Sequence, residues 1–175
     1  MSWNARRILR EIADADLRHN VLRAFWRYGD PTAKAVAIVQ LAKTLHFRDE
    51  TIRKMSADKK TELLASRVAA PEFEQTLETA LMLYHTHEAN EMLAAFLDRW
   101  GVPHVNGSIE SDDYKTPTAD TVKSAVKELP FDQRAVALYL ASAGLLMGGE
   151  WQEATWPVVD EMFHHRGTED TETSL

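Results

Sequence analysis

Cysteine is absent from the 175 residues of this sequence. A chain without thiols cannot form disulfides, cannot use a thiolate nucleophile, and cannot bind zinc or an iron–sulfur cluster through cysteine. Long apolar runs are absent as well: none approaches the roughly 18 residues of a membrane-spanning helix, so we predict no membrane insertion. If the chain has a cofactor, we expect a divalent metal held by other ligands rather than a thiolate-ligated group.

The first residues also lack the pattern of a secretory signal, so we expect none. Residues 1–7 lead into alternating charges rather than into an apolar segment, which favours a cytoplasmic location. Hydrophobic residues make up 45% of the chain and charged residues 27%. These fractions are near the globular average and argue against disorder over the bulk of the chain. The length is close to that of one typical domain.

Charge is distributed unevenly along the chain. Residues 1–70 hold 14 basic and 8 acidic side chains, a formal charge of +6, whereas residues 71–175 hold 6 and 19, a charge of −13. Halves of opposite sign can attract each other within the fold or between subunits. Together with five tryptophans, a residue type enriched at interfaces, this polarity predicts a homodimer that added salt weakens.

Helix start and stop signals recur along the chain. Asp30 and Pro31 have the residue types of an N-cap and a first helical position, and Gly101 has that of a C-cap. The longest helical stretch covers residues 71–100. Together these signals predict an all-α fold. We expect one compact bundle of about seven to nine helices over residues 1–166, followed by a disordered acidic tail at 167–175.

One long loop interrupts the helical pattern, at residues 101–117. The pair Asn106-Gly107 is the one preferred in a type I′ turn and predicts a small β-hairpin. Long ordered loops are often functional, and a histidine near aspartates suits acid–base chemistry or cation binding. Four side chains are therefore candidate binding residues: His104, Asn106, Asp112 and Asp113. The alternative is a connector across one end of the bundle, with its polar groups in water.

A polar segment also interrupts the apolar pattern of the stretch at 71–100. If this helix is continuous, Glu88 and Glu91 fall on its apolar stripe and point inward, where carboxylates require a partner. His85 lies three residues before Glu88 and could bind the same metal ion. His85, Glu88 and Glu91 are therefore candidate metal ligands. The alternative is a solvated turn between two helices.

Basic residues are frequent before residue 61, but acidic residues alternate with them at helix-pair spacings. This pattern and a pI near 5.5 argue against nucleic-acid binding. The sequence contains no nucleophile–base pair, no glycine-rich phosphate loop and no complete metal motif. It therefore favours a non-catalytic binding or regulatory module that acts through helix surfaces. The alternative is a metal-dependent or acid–base enzyme centred on His85, Glu88 and Glu91.

Overall fold

A computed structural model describes the fold of residues 2–164, and the tail predicted at 167–175 lies outside the described residues. The predicted all-α class is confirmed, since the described residues contain ten α-helices and no β-strand. A π-helical segment covers Ile8–Ile12 and a 3₁₀ turn covers Pro71–Phe73. The α-helices are α1 (Ala5–Arg7), α2 (Ala15–Tyr28), α3 (Pro31–Leu45), α4 (Asp49–Arg53), α5 (Ala57–Ala65), α6 (Glu74–His87), α7 (Asn90–Trp100), α8 (Ala119–Glu128), α9 (Gln133–Met147) and α10 (Gly149–His164).

The helices belong to two compact units. The N-terminal unit is Asn4–Asn90, and the C-terminal unit is Glu91–Leu175 with Met1–Trp3, described as far as residue 164. In the N-terminal unit α2 packs against α5 and α6, and in the C-terminal unit α10 packs against α8 and α9. The prediction of a single domain over residues 1–166 stays a prediction.

Side-chain caps fix the start of the N-terminal unit. Asn4 accepts a hydrogen bond from the Arg7 N–H of α1 at 2.9 Å. The Glu74 carboxylate, in the first turn of α6, accepts from the Ala5 N–H at 2.6 Å and from the Arg6 guanidinium at 2.7 Å. These bonds satisfy amide groups that a helix start leaves without a partner, and they join α1 to α6.

Helix α3 begins as its sequence predicts, and it is capped at both ends. The Asp30 carboxylate accepts from the Ala33 N–H at 2.9 Å, and Pro31 occupies the first turn. At the other end His46 adopts the left-handed conformation with φ of 58°, and the Phe47 N–H donates to the Ala42 carbonyl at 2.9 Å. The inner side of the helix is buried through Ala37, Ile38, Leu41 and Ala42.

The C-terminal unit is centred on α9, whose buried residues run from Val136 to Gly144. Gly144 lies against α10, where the Trp156 indole N–H donates to the Ala141 carbonyl at 3.2 Å. Because no side chain intervenes at Gly144, the two helices approach closely. Within residues 2–164, no helix combines the length and the apolar composition needed to cross a membrane.

Candidate functional site

The polar segment at 85–91 is a turn between two helices. Helix α6 ends at His87, and the N–H groups of Glu88 and Ala89 both donate to the Tyr84 carbonyl, at 2.8 and 3.0 Å. Because the helix stops here, the apolar stripe of α6 does not continue through this segment. Glu88 and Glu91 are both exposed. The structure thus agrees with the solvated turn, the alternative to a continuous helix.

Glu88 ties the end of α6 to the end of α2. Its carboxylate accepts a hydrogen bond from the Tyr28 hydroxyl at 3.0 Å and from the Arg27 guanidinium at 3.3 Å. The Tyr28 ring also stacks on His87, with 4.2 Å between the ring centroids. Burial and the hydrogen bond to Glu88 raise the pKa of the Tyr28 hydroxyl. These contacts give Glu88 a structural role at the end of a helix.

His85 is the one member of the predicted metal set that is buried, with 4% of its surface exposed. Its ring meets that of Tyr84 edge to face at a centroid distance of 5.3 Å. Burial lowers the pKa of His85 to about 4, so the imidazole is neutral at pH 7. In residues 2–164 no three histidine, aspartate or glutamate side chains are grouped so that they could hold a metal ion. The assignment of His85, Glu88 and Glu91 as metal ligands stays a prediction.

The loop at 101–117 contains the predicted turn. Val105 and Ser108 form an isolated antiparallel bridge, and their two N–H to carbonyl distances are both 2.9 Å. Asn106 and Gly107 between them have φ of 50° and 85°, the signs that a type I′ turn requires. The predicted turn is therefore present, and a single bridged residue pair flanks it in place of two strands.

His104 stabilises this turn with both ring nitrogens. Its Nδ1 accepts from the Gly107 N–H at 3.0 Å, so in the neutral ring Nε2 carries the proton and donates to the Asp98 carboxylate at 2.8 Å. Only 11% of the His104 side chain is exposed. Acid–base work by this ring would require one of the two bonds to break. Asp98 is a partner that the sequence analysis missed, because it lies in α7, outside the loop.

The other three candidates of the loop lie at its surface. Asn106, Asp112 and Asp113 are all exposed, and the Asp113 N–H donates to the Ser111 hydroxyl at 3.1 Å. The loop is anchored by its apolar residues instead. Ile109 and Tyr114 pack against a cluster of Leu97, Val102 and Trp151, and the Trp151 indole donates to the Tyr114 hydroxyl at 3.1 Å. The loop is thus an ordered connector with its own core.

Basic side chains of the N-terminal unit are dispersed among acidic ones, as predicted. The unit holds 14 basic and 12 acidic residues, a formal charge of only +2. Ion pairs join Arg6 to Glu74, Arg7 to Glu11 and Arg27 to Glu88. The sequence-based argument against nucleic-acid binding stays a prediction.

An exposed apolar surface lies on α3. Thr32, Val36, Val39 and Lys43 are spaced by four, three and four residues and share one side of the helix, the outer face of α3. Val36 is 50% exposed and Val39 is 48% exposed. Phe47, two residues after the end of the helix, is 46% exposed. Of the seven large apolar side chains that are exposed in residues 2–164, three therefore lie within a segment of twelve residues.

This surface carries a sequence signal that the helix prediction did not use. At about 100° per residue, Val36 and Val39 lie on the opposite side of the helix from Leu41. Helix α3 has charged residues only at Lys34 and Lys43. A helix that is apolar on both sides is typical of one that is covered on both sides.

The tryptophans give no support to an interface. Trp3, Trp26 and Trp151 are buried, and Trp100 and Trp156 are half-buried. In these positions they act as core residues of their units.

Comparisons of the chain with protein-family models, with curated proteins and with solved structures found no match.

Proposed function

We propose that this chain is a non-catalytic binding module with a regulatory role, and that it acts through the outer face of α3. The observation that carries the proposal is the half-exposure of Val36 and Val39 on one side of a helix whose other side is already buried. Single exposed valines are ordinary in proteins. Two on the same face, followed at the helix end by an exposed phenylalanine, favour a contact surface.

The energetics are those of a protein contact. Full burial of a valine side chain contributes about 1.5–3 kcal/mol, so covering the exposed half of each valine contributes about 1 kcal/mol. The same residues contribute little to folding, because α3 is held by Ile38 and Leu41 on its inner side. A surface that stabilises a complex and not the monomer is what a binding module requires.

The chemistry of the other candidates supports the same class of function. His85 is buried and neutral, and both nitrogens of His104 are already bonded within the chain. The alternative of a metal-dependent or acid–base enzyme therefore gains no support from the geometry. We keep a protein as the expected partner. The sequence argues against nucleic-acid binding and predicts no membrane insertion, and a cytoplasmic location remains part of the proposal.

Site-specific photocrosslinking in the source cells tests the proposal. A photoreactive residue in place of Thr32 lies on the outer face of α3, whereas the same residue at Glu62, exposed on α5, is the control. We expect adducts from position 32 that disappear in the Val36→Gln/Val39→Gln variant, and none of that dependence at position 62. Equal labelling from both positions, or adducts that persist in the variant, would overturn the proposal.

A further inference from the structure

We infer that the outer face of α3 is covered by the same face of a second copy of the chain, as an antiparallel helix pair. The inference rests on the proposed function and names its partner. It is carried by the order of residues on the face, which is self-complementary under a two-fold axis between residues 37 and 38. That axis places Val36 opposite Val39 of the partner subunit, and Thr32 opposite Lys43 of the partner subunit.

This register gives the contact an apolar centre and a polar rim. The two valines of each subunit meet at the axis, and the hydroxyl and ammonium groups lie at the ends of the contact. Protein interfaces are built in this way, with charged residues depleted at the centre. A shift of four residues would place a valine against Lys43 in one direction and against Thr32 in the other, and in both cases no valine would face a valine.

Charge favours the antiparallel over the parallel arrangement. Between Pro31 and Leu45 the chain has no acidic residue, and Lys43 is the one charged residue on the outer face of α3. A parallel pair would place the two Lys43 ammonium groups together and align the two helix dipoles. In the antiparallel pair each Lys43 instead lies near the start of the opposite helix, where the exposed Asp30 carboxylate forms the N-cap.

The contact is small, and this sets the strength of association. Four residues from each subunit cover much less than the about 1,200–2,000 Å² of stable complexes. We therefore expect a reversible dimer that forms at high protein concentration. Because the centre of this dimer is apolar, added salt should either strengthen it or leave its affinity unchanged. The dimer predicted from the opposite charges of the two halves should instead be weakened by salt.

The absence of cysteine makes the register directly measurable. Thr32→Cys and Lys43→Cys proteins are prepared separately, and disulfide formation under mild oxidation is compared for each protein alone and for their mixture. In the antiparallel pair residue 32 faces residue 43, whereas two copies of residue 32 lie about 16 Å apart along the axis, at 1.5 Å per residue. Disulfides require Cα atoms within about 7 Å.

We expect the mixed 32–43 disulfide to form about tenfold faster than either homodisulfide, because only the mixed pair meets this distance limit. Glu62→Cys, exposed on α5, gives the rate for random collisions. Adding Val36→Gln and Val39→Gln to both cysteine proteins should reduce the mixed rate to that level. Circular dichroism of each variant confirms that the helices are retained.

Two results would overturn the inference. Faster 32–32 than 32–43 disulfide formation would show a parallel pair. Disulfide rates equal to that of the Glu62→Cys control, together with a monomer in sedimentation up to about 1 mM protein, would show that the chains do not pair. If position 32 still gives a valine-dependent photoadduct with another protein in cells, the proposed function stands and only the second copy as occupant is lost.

Discussion

In the loop at 101–117 the side chains of His104 and Tyr114 are bonded within the chain, whereas on α3 two apolar side chains are half exposed to solvent. His104 uses both ring nitrogens to hold the loop in place, and Tyr114 accepts the indole proton of Trp151. Val36 and Val39 are about half exposed. The surface available to a partner therefore depends on which side chains folding leaves exposed, and not on how many reactive groups a segment contains.

Acid provides the largest effect on stability, through the buried side chain of His85. The pKa of His85 is about 4 in the folded chain against 6.5 when unfolded, so between these pH values the unfolded state binds a proton that the folded state does not. The stability contributed by neutral His85 is present above pH 6.5 and is lost as the pH falls towards 4. At 1.36 kcal/mol per pKa unit the loss is about 3 kcal/mol.

Urea unfolding at pH 7, 5 and 4 measures this loss. His85→Leu removes the titration, and we expect its stability to fall less over this range than that of the original chain, by about 3 kcal/mol. Carboxylates titrate in both proteins and cancel in the difference. If the free energy of unfolding changed with pH equally in the two proteins, His85 would be accessible to water and not buried.

Gly107→Ala tests whether the loop is as tightly built as the hydrogen bonds indicate. Gly107 has φ of 85°, and an added Cβ would lie 2.7 Å from Cδ2 of Leu93. Left-handed backbone costs a non-glycine residue about 1–2 kcal/mol, and the clash adds to it, so we expect a loss of about 2–3 kcal/mol in urea unfolding.

Gly101→Ala is the matched control, since Gly101 has φ of 69° but no atom within 4 Å of its added Cβ. It should show the backbone cost alone, about 1 kcal/mol. Equal losses of unfolding free energy in Gly107→Ala and Gly101→Ala would mean that the added Cβ at residue 107 does not clash with Leu93.

His104→Ala should cost about 1–2 kcal/mol of unfolding free energy, because it removes two hydrogen bonds and leaves the Gly107 N–H without its acceptor. Asp112→Ala, at an exposed position of the same loop, should change stability by less than about 0.5 kcal/mol. Urea midpoints of the two variants give the comparison. If His104→Ala left the stability unchanged, the two hydrogen bonds of His104 would contribute nothing to folding, and this side chain would again be a candidate for acid–base chemistry.

The smallest effect is expected on α3. Val36→Gln with Val39→Gln should change the stability of the monomer by less than about 0.5 kcal/mol per residue, because both sites are half exposed and glutamine is the better helix former. Ile38→Ala, on the buried side of the same helix, should cost about 2–5 kcal/mol. Thermal unfolding in dilute solution provides the measurement. A loss of several kcal/mol from the valine pair would show that they support the fold itself.

The parts that were predicted correctly depend on local sequence. The Asp30-Pro31 start of α3 and the Asn106-Gly107 turn need only neighbouring residues, so their sequence signals are sufficient. The end of α6 is different, because Glu88 is held by Arg27 and Tyr28, which are 61 and 60 residues away. The sequence shows that α3 is apolar on two sides, but which side is exposed could not be predicted, because that depends on where the rest of the unit packs.

Concentration-dependent NMR shifts test most directly the claim that two copies of the chain pair through the outer face of α3. Amide and methyl spectra of the full chain are recorded over a dilution series, which reports on every surface at once. The account predicts that the shifts that change with concentration cluster at Thr32, Val36, Val39 and Lys43, and that those of residues 103–113 stay constant. Spectra independent of concentration up to about 1 mM, or changes centred on the loop, would contradict it.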